Sequence, residues 1–360
     1  MNVKKSINQR FNMKNILFIF IILSNLTFGQ SVPTTAAEIE KYATSIEQLK
    51  AENKLVKVSY PNMSSCGGGV DGYYLNKKLV LIDATYGAEL GFSSKIMYLD
   101  QDKFLKVIYR EHFAEWEKYA RKYPSEEQEF DPSKMTYSDT VYTIALANPT
   151  IFVKKAGDKV VSKKQNNALV ERLLKCGEQM KGELTEVIEQ VDSLKYVKEM
   201  PYICHDLIDI YSENALSEGC GDINYWNVVG LHSNVIELLI DQLDDSTTTN
   251  ANVILFGVNY TVADIAYDAL TEIIHDIPSF ELLGVPFDDK GCGYCAYWQH
   301  LNSDFVNRQK FKVAVRKWYF TNKEKLVWVE SNSFSTCDCS GKHPNGGHYT
   351  LPSQIPSSSK

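Results

Sequence analysis

Between residues 55 and 162 the chain is a succession of short runs of β-branched and aromatic residues broken by turn residues, and this limits the possible folds more than any other feature. The runs cover residues 55–60, 70–75, 79–83, 95–99, 104–109, 140–147, 150–154 and 159–162. Asn76-Lys77, Asp100-Gln101-Asp102 and Ala156-Gly157-Asp158 separate neighbours. Links this short leave no room for a crossover helix, so adjacent runs pair antiparallel, as a β-meander.

The meander is bracketed by helical patterns. Before it, Ile39, Tyr42, Ala43, Ile46 and Leu49 recur at helical spacing between Thr35 and Asn53. After it, Leu169, Leu173, Cys176, Met180, Leu184, Val187, Val191 and Leu194 form one stripe that ends before Pro201. At about seven turns that helix is long enough to cover the sheet and to close a first domain. Residues 110–123 are charged and aromatic and residues 124–132 acidic and prolyl, a pattern expected of a surface excursion.

The second half reads as mainly helical, with helices expected around Ile203 to Tyr211, Val235 to Leu243, Val262 to Ile273 and Phe311 to Tyr319. Thr261 and Asp264 have the spacing of a cap for the third. Residues 326–329 read as a short strand. The expected fold class is therefore α+β: an antiparallel β-meander covered by a long helix, then a mainly helical domain with a Cys-rich C-terminal end. The boundaries are a signal peptide over 1–29, a β-rich domain with its covering helix over 30–199, and a helical domain with a Cys-rich region over 200–360.

The signal reading rests on Met13-Lys14-Asn15, the apolar run from Ile16 to Leu23, and small residues at Thr27 and Gly29, with cleavage expected after Gly29. Residues 1–12 read as an extension upstream of that start. The apolar run falls short of the roughly 20 residues that cross a bilayer, so no membrane span is expected after cleavage. Cleavage removes Lys4, Lys5, Arg10 and Lys14 and no acidic residue, taking the formal net charge from −7 to −11. An acidic chain without a basic stripe is a poor partner for nucleic acid, which needs a cationic surface.

Two segments carry a resemblance. Residues 234–243 (Asn-Val-Ile-Glu-Leu-Leu-Ile-Asp-Gln-Leu) and 260–274 resemble a HEAT-like helical pair, which implies a compact helical packing unit. Gly291-Cys-Gly-Tyr-Cys-Ala-Tyr-Trp298 and Cys337-Asp-Cys-Ser-Gly-Lys-His-Pro344, with the style of the signal, resemble secreted proteins of Bacteroidota, a likeness that implies export and no activity.

Eight cysteines behind an export signal point to crosslinking, because thiols persist poorly outside the cytoplasm. Cys66 with Cys176, and Cys204 with Cys220, are disulfide candidates by proximity in sequence. Cys292, Cys295, Cys337 and Cys339 form two close pairs that suit either two disulfides or a structural zinc, since four thiolates from two short knuckles satisfy a tetrahedral ion. A redox role for Cys292 and Cys295 lacks the βαβ setting that lowers a thiol pKa. His343 and His348, joined by His300, are weaker metal candidates, and Asp338 is the nearest candidate for a carboxylate base. Cys66-Gly67-Gly68-Gly69 has the glycines of an anion nest but is expected to be a turn. His112, Phe113, Trp116 and Tyr119 have near-helical spacing, for which core packing is the expected role, although a carbohydrate or peptide surface can be built from such a group.

No complete set of nucleophile, base and orienting group stands out. The expectation is an exported, non-catalytic binding or interaction protein of the cell envelope, periplasmic or extracellular, whose partner is an envelope protein or a glycan. The alternative is a zinc-dependent hydrolase built on the C-terminal Cys/His cluster.

Overall fold

The eight runs pair in one antiparallel sheet whose strand order is the order of the chain. A computed structural model of the protein describes residues 31–61, 66–123, 132–201, 222–253, 258–275, 277–284, 300–301, 303–330 and 346–354. The strands are β1 (Val56–Pro61), β2 (Gly68–Leu75), β3 (Lys78–Ala88), β4 (Gly91–Asp100), β5 (Lys103–Ala114), β6 (Tyr137–Ala145), β7 (Ile151–Ala156) and β8 (Lys159–Ser162). Asn76 and Lys77, and again Gln101 and Asp102, take positive φ between the register pairs Leu75 with Lys78 and Asp100 with Lys103. Such two-residue turns match the strand twist, and they give hairpins of the meander their geometry.

Three strands run further than their apolar patterns. β3 and β4 extend to a two-residue link at Glu89-Leu90, closing on the pair Ala88 with Gly91. β5 continues through the charged aromatic stretch to Ala114, because β4 and β6 pair with it to its end. Only at Trp116 does the chain leave the sheet, as the short exposed helix α2 (Trp116–Lys122), which follows α1 (Ala36–Ala51) in chain order.

Both faces of the sheet are covered. On one, α1 starts with a capping box in which Thr35 and Glu38 satisfy each other's backbone N–H, and it buries Ile39, Ala43 and Ile46 against Leu81, Tyr98, Leu105 and Ala145. On the other lies α3 (Asn167–Asp192), capped by Asn166 at the Leu169 N–H. Its Leu173, Met180 and Leu184 join the cluster that holds Ile82, Ala84, Met97, Ile144 and Phe152. Leu81 and Ile82 point to opposite faces and both are 0% exposed, which explains why Leu79-Val-Leu-Ile82 is continuously apolar instead of alternating.

The second half holds α4 (Ile223–Val229), α5 (Ile236–Asp241), α6 (Val262–Ile273), α7 (Ser279–Leu283) and α8 (Phe305–Asn322). Their Val228, Leu239, Leu270 and Phe311 belong to the same apolar cluster as Val58 of β1 and the stripe of α3, so the two halves share one core. Polar contacts join them too: Lys57 N–H donates to Glu237 Oε2 at 2.9 Å, and Arg316 Nη2 donates to the Asn53 and Leu55 carbonyls at 2.9 and 2.7 Å.

The cap on α6 forms as its spacing predicts, with Thr261 and Asp264 exchanging hydrogen bonds. Within residues 234–274, α5 has six residues, and a hairpin of β9 (Thr248–Val253) and β10 (Val258–Thr261) stands between α5 and α6. The strand expected near residue 326 is β11 (Val327–Glu330), and it pairs with β12 (Gly347–Thr350). The helix expected around residues 203–211 lies outside the described residues. Among the described residues, no helix is long and apolar enough to cross a membrane.

Candidate functional site

Of the residues singled out by sequence, Cys204, Cys220, Cys292, Cys295, Cys337, Asp338, Cys339 and His343 lie outside the described residues, as does the signal segment. Cys66 is exposed and Cys176 half-buried, and no disulfide joins the two, contrary to the expected pairing. The register gives the reason. The Cys66 carbonyl occupies the position a Gly87 side chain would take, on the α1 face of the sheet, whereas Cys176 on α3 lies against Tyr86, which points to the other face. The expected partners are thus on opposite sides of β3.

Beneath α3, burial holds the Tyr86 hydroxyl well above its ordinary pKa, and neighbouring Cys176 and Glu183 add to the effect. Burial also pulls the Lys95 ammonium down, opposed by Cys176 and reinforced by Arg172, while Nζ lies 4.0 Å from the Tyr86 ring centroid. These groups pack the helix onto the sheet.

His348, on β12, stacks on His275 just beyond α6, with ring centroids 3.5 Å apart and planes 12° from parallel. A nitrogen lone pair lies in the plane of its ring, so an ion shared by these two rings would sit about half their separation out of each plane. The stack as it stands therefore does not chelate one ion between its rings. Among the described residues, neither His300 nor any other side chain completes a group of three ligands with His348.

The most perturbed carboxyl is Asp268 on α6, whose pKa is pushed up to about 7 by burial, with the Tyr225 hydrogen bond opposing and Glu272 repulsion adding. Tyr225 donates to Asp268 Oδ2 at 2.7 Å and is fully enclosed between α4 and α6, which makes this pair an element of the helical core.

The surface with chemistry to offer lies at the far end of β4, β5 and β6. Register pairs Phe92 with His112, and Ala114 with Tyr137, and alternation along each strand puts these side chains on one face. The rings form a ladder across three strands: Phe92 to His112 at 5.1 Å, and His112 to Tyr137 at 5.0 Å with planes only 5° apart. One pleat inward, Arg110 grips Asp139 through two hydrogen bonds of 2.7 and 2.9 Å, and the guanidinium lies 5.7 Å from the Phe92 ring. This clamp holds the Asp139 carboxyl below the usual carboxylate range. His112 Nδ1, enclosed in the ladder, lies 3.8 Å from Asp139 Oδ1, beyond hydrogen-bond reach, and has no hydrogen-bond partner among the described residues.

Beside the ladder, α2 adds Trp116 stacked on Tyr119 at 5.6 Å, and Tyr119 meets Tyr123 at 4.9 Å. Ala114, Glu115, Trp116, Glu117, Lys118 and Arg121 line an open depression there. Glu115 accepts from Thr136 Oγ1 at 2.7 Å and from Lys118 Nζ at 3.0 Å, contacts that lower its pKa. Tyr137 is 45% and Trp116 50% exposed.

The sequence pattern found His112, Phe113, Trp116 and Tyr119 but treated them as one helical group. The structure divides them between β5 and α2, turns Phe113 away from His112, and recruits Phe92 and Tyr137, which are 20 and 25 residues from His112 in the chain. Only strand register could have revealed those two. No family model, curated protein or solved structure matches the chain.

Proposed function

We propose that the protein is an exported, non-catalytic binding or interaction protein of the cell envelope, periplasmic or extracellular, and that the aromatic rim at Phe92, His112, Tyr137 and Trp116 is its working surface. The observation that supports this most directly is the ring ladder itself. Stacked aromatics left in solvent, bordered by ion pairs, are what a recognition surface requires and what a core would have covered. Aromatic and Arg side chains also supply most of the binding energy at interfaces.

In the same reading, the helical half is a HEAT-like packing unit that braces the sheet. The Cys-rich end, with Cys292, Cys295, Cys337 and Cys339, acts as a clasp through two disulfides or a structural zinc. Export is supported by the N-terminal signal pattern and by the resemblance to secreted Bacteroidota proteins. The test is co-sedimentation of the chain beginning at Gln30 with isolated bacterial envelopes. Binding that weakens in Trp116→Ala and Tyr137→Ala is the expected result. Binding absent from the unaltered chain, or unchanged in both variants, refutes the reading.

A further inference from the structure

We infer that the ligand of the aromatic rim is a neutral glycan, a step that rests on the rim being the working surface. Three features of the ladder carry it. First, the stack has one closed end and one open end. Beyond Phe92, its register partner on β3 is Gly87, and the Cys66 carbonyl fills the place where a side chain would stand. Beyond Tyr137 the described residues place no strand: β7 pairs with β6 only as far as Ala156 with Thr140, and Gly157 N–H donates to the Asp139 carbonyl as the chain turns away. The outer face of the Tyr137 ring is therefore left open by the described strands, and the residue is 45% exposed. A pyranose presents a flat face of C–H groups of similar size, and it can continue the stack at the same spacing.

Second, the charged groups nearest the ladder among the described residues form closed pairs. Arg110 is paired with Asp139, and Lys118 with Glu115. Those two pairs offer neither a polyanion nor a basic peptide an excess of counter-charge, and the acidic chain as a whole opposes a polyanion. A hydroxyl group, by contrast, both donates and accepts. It can use the second lone pairs of Asp139 and Glu115 and the remaining N–H donors of Arg110 without breaking either pair.

Third, the ladder holds rings and no branched aliphatic side chain. A protein partner needs a centre from which water is expelled. Here Phe92 and His112 border the Arg110–Asp139 pair, which keeps the surface wet and favours a ligand that brings its own hydroxyls.

The test uses the full mature chain in affinity electrophoresis through gels containing a soluble β-glucan, a mannan or a xylan, with polygalacturonate as the charged control. Envelope co-sedimentation is run in parallel on envelopes treated with protease or with periodate, which cleaves the vicinal diols of sugars. Retardation by at least one neutral polysaccharide is expected. The apparent affinity should fall by about tenfold or more in Tyr137→Ala, equivalent to ~1.4 kcal/mol, and persist in Tyr137→Phe, which keeps the ring. Envelope binding should survive protease and be lost with periodate. Binding that survives periodate and is lost with protease overturns the glycan inference and leaves the working surface intact. Retardation by polygalacturonate alone also overturns it. Glycan binding equal in Tyr137→Ala and in the unaltered chain places the sugar elsewhere and refutes both statements.

Discussion

Replacing Asp268 by Asn should make the protein more stable above neutral pH and should do so by relieving a buried charge. The carboxyl has a folded pKa of about 7 against an ordinary value of 3.8, chiefly from burial. A carboxyl raised in the folded state binds more protons folded than unfolded between those values. Stability therefore falls as pH rises through that window and is flat above it. The shift of about three pKa units sets a ceiling of roughly 4 kcal/mol on the cost at high pH. Asn keeps an oxygen for the Tyr225 hydroxyl, whose hydrogen bond to Asp268 is 2.7 Å, but brings an NH2 group that costs about 1–3 kcal/mol if it gains no acceptor. The expected net gain is ~1–2 kcal/mol at about pH 8, turning into a loss at about pH 4.5, where little of the charge penalty has accrued. Urea unfolding followed by tryptophan fluorescence at both pH values measures it. The reasoning fails if the difference between Asp268→Asn and the unaltered protein is the same at the two values, because removal of a titrating group must leave a pH-dependent residue.

Three further outcomes follow from packing and covalent chemistry. Arg308 and Asp264 form an ion pair of 3.1 Å with side chains only 5% and 2% exposed, so Arg308→Met should cost about 3–5 kcal/mol in urea unfolding by stranding the carboxylate. Gly177 faces the sheet from within α3, and an added Cβ would come within 2.6 Å of Phe104 and 2.8 Å of Met97. Gly177→Ala should therefore destabilise the protein by ~1–2 kcal/mol, the crowding exceeding the helix-propensity gain of about 1 kcal/mol, as a fall in Tm would show. Intact-mass and metal analysis of the exported protein should give a chain starting at Gln30 with either two bonds or one zinc among Cys292, Cys295, Cys337 and Cys339, and with no Cys66 to Cys176 bond. Unmodified, metal-free thiols at all four C-terminal positions would refute the clasp.

Much of the frame was legible because it is local. Asn76-Lys77 and Gln101-Asp102 mark tight turns, and the stripe from Leu169 to Leu194 has a helical period with nothing to interrupt it. Thr261 and Asp264 cap α6 through a contact three residues long. What escaped was set by partners distant in sequence. β3 and β4 persist through Ala84 to Ala88 and Gly91 to Ser94 because neighbouring strands satisfy their backbone, although Ala, Gly and Ser there interrupt the strand signal of Thr85, Tyr86 and Phe92. Thr248-Thr-Asn-Ala-Asn-Val253 lacks apolar alternation, yet it pairs with β10 as a hairpin between two helices. The aromatic rim was half visible: its residue types were apparent at His112 and Trp116, its geometry was not.

By itself, then, the sequence determined a chain of hairpins and two helices with apolar stripes, because turn conformation and helical periodicity depend on residues a few positions apart. Only the tertiary structure decided that α1 and α3 take opposite faces, that the helical half shares the core beneath α3, and that Phe92, His112 and Tyr137 fall in one line. Side chains on a strand alternate with a period of two, so a slip of one residue in any pairing would send one of those rings through the sheet. Register, fixed by the buried residues on both faces, is what turns three scattered aromatics into a surface.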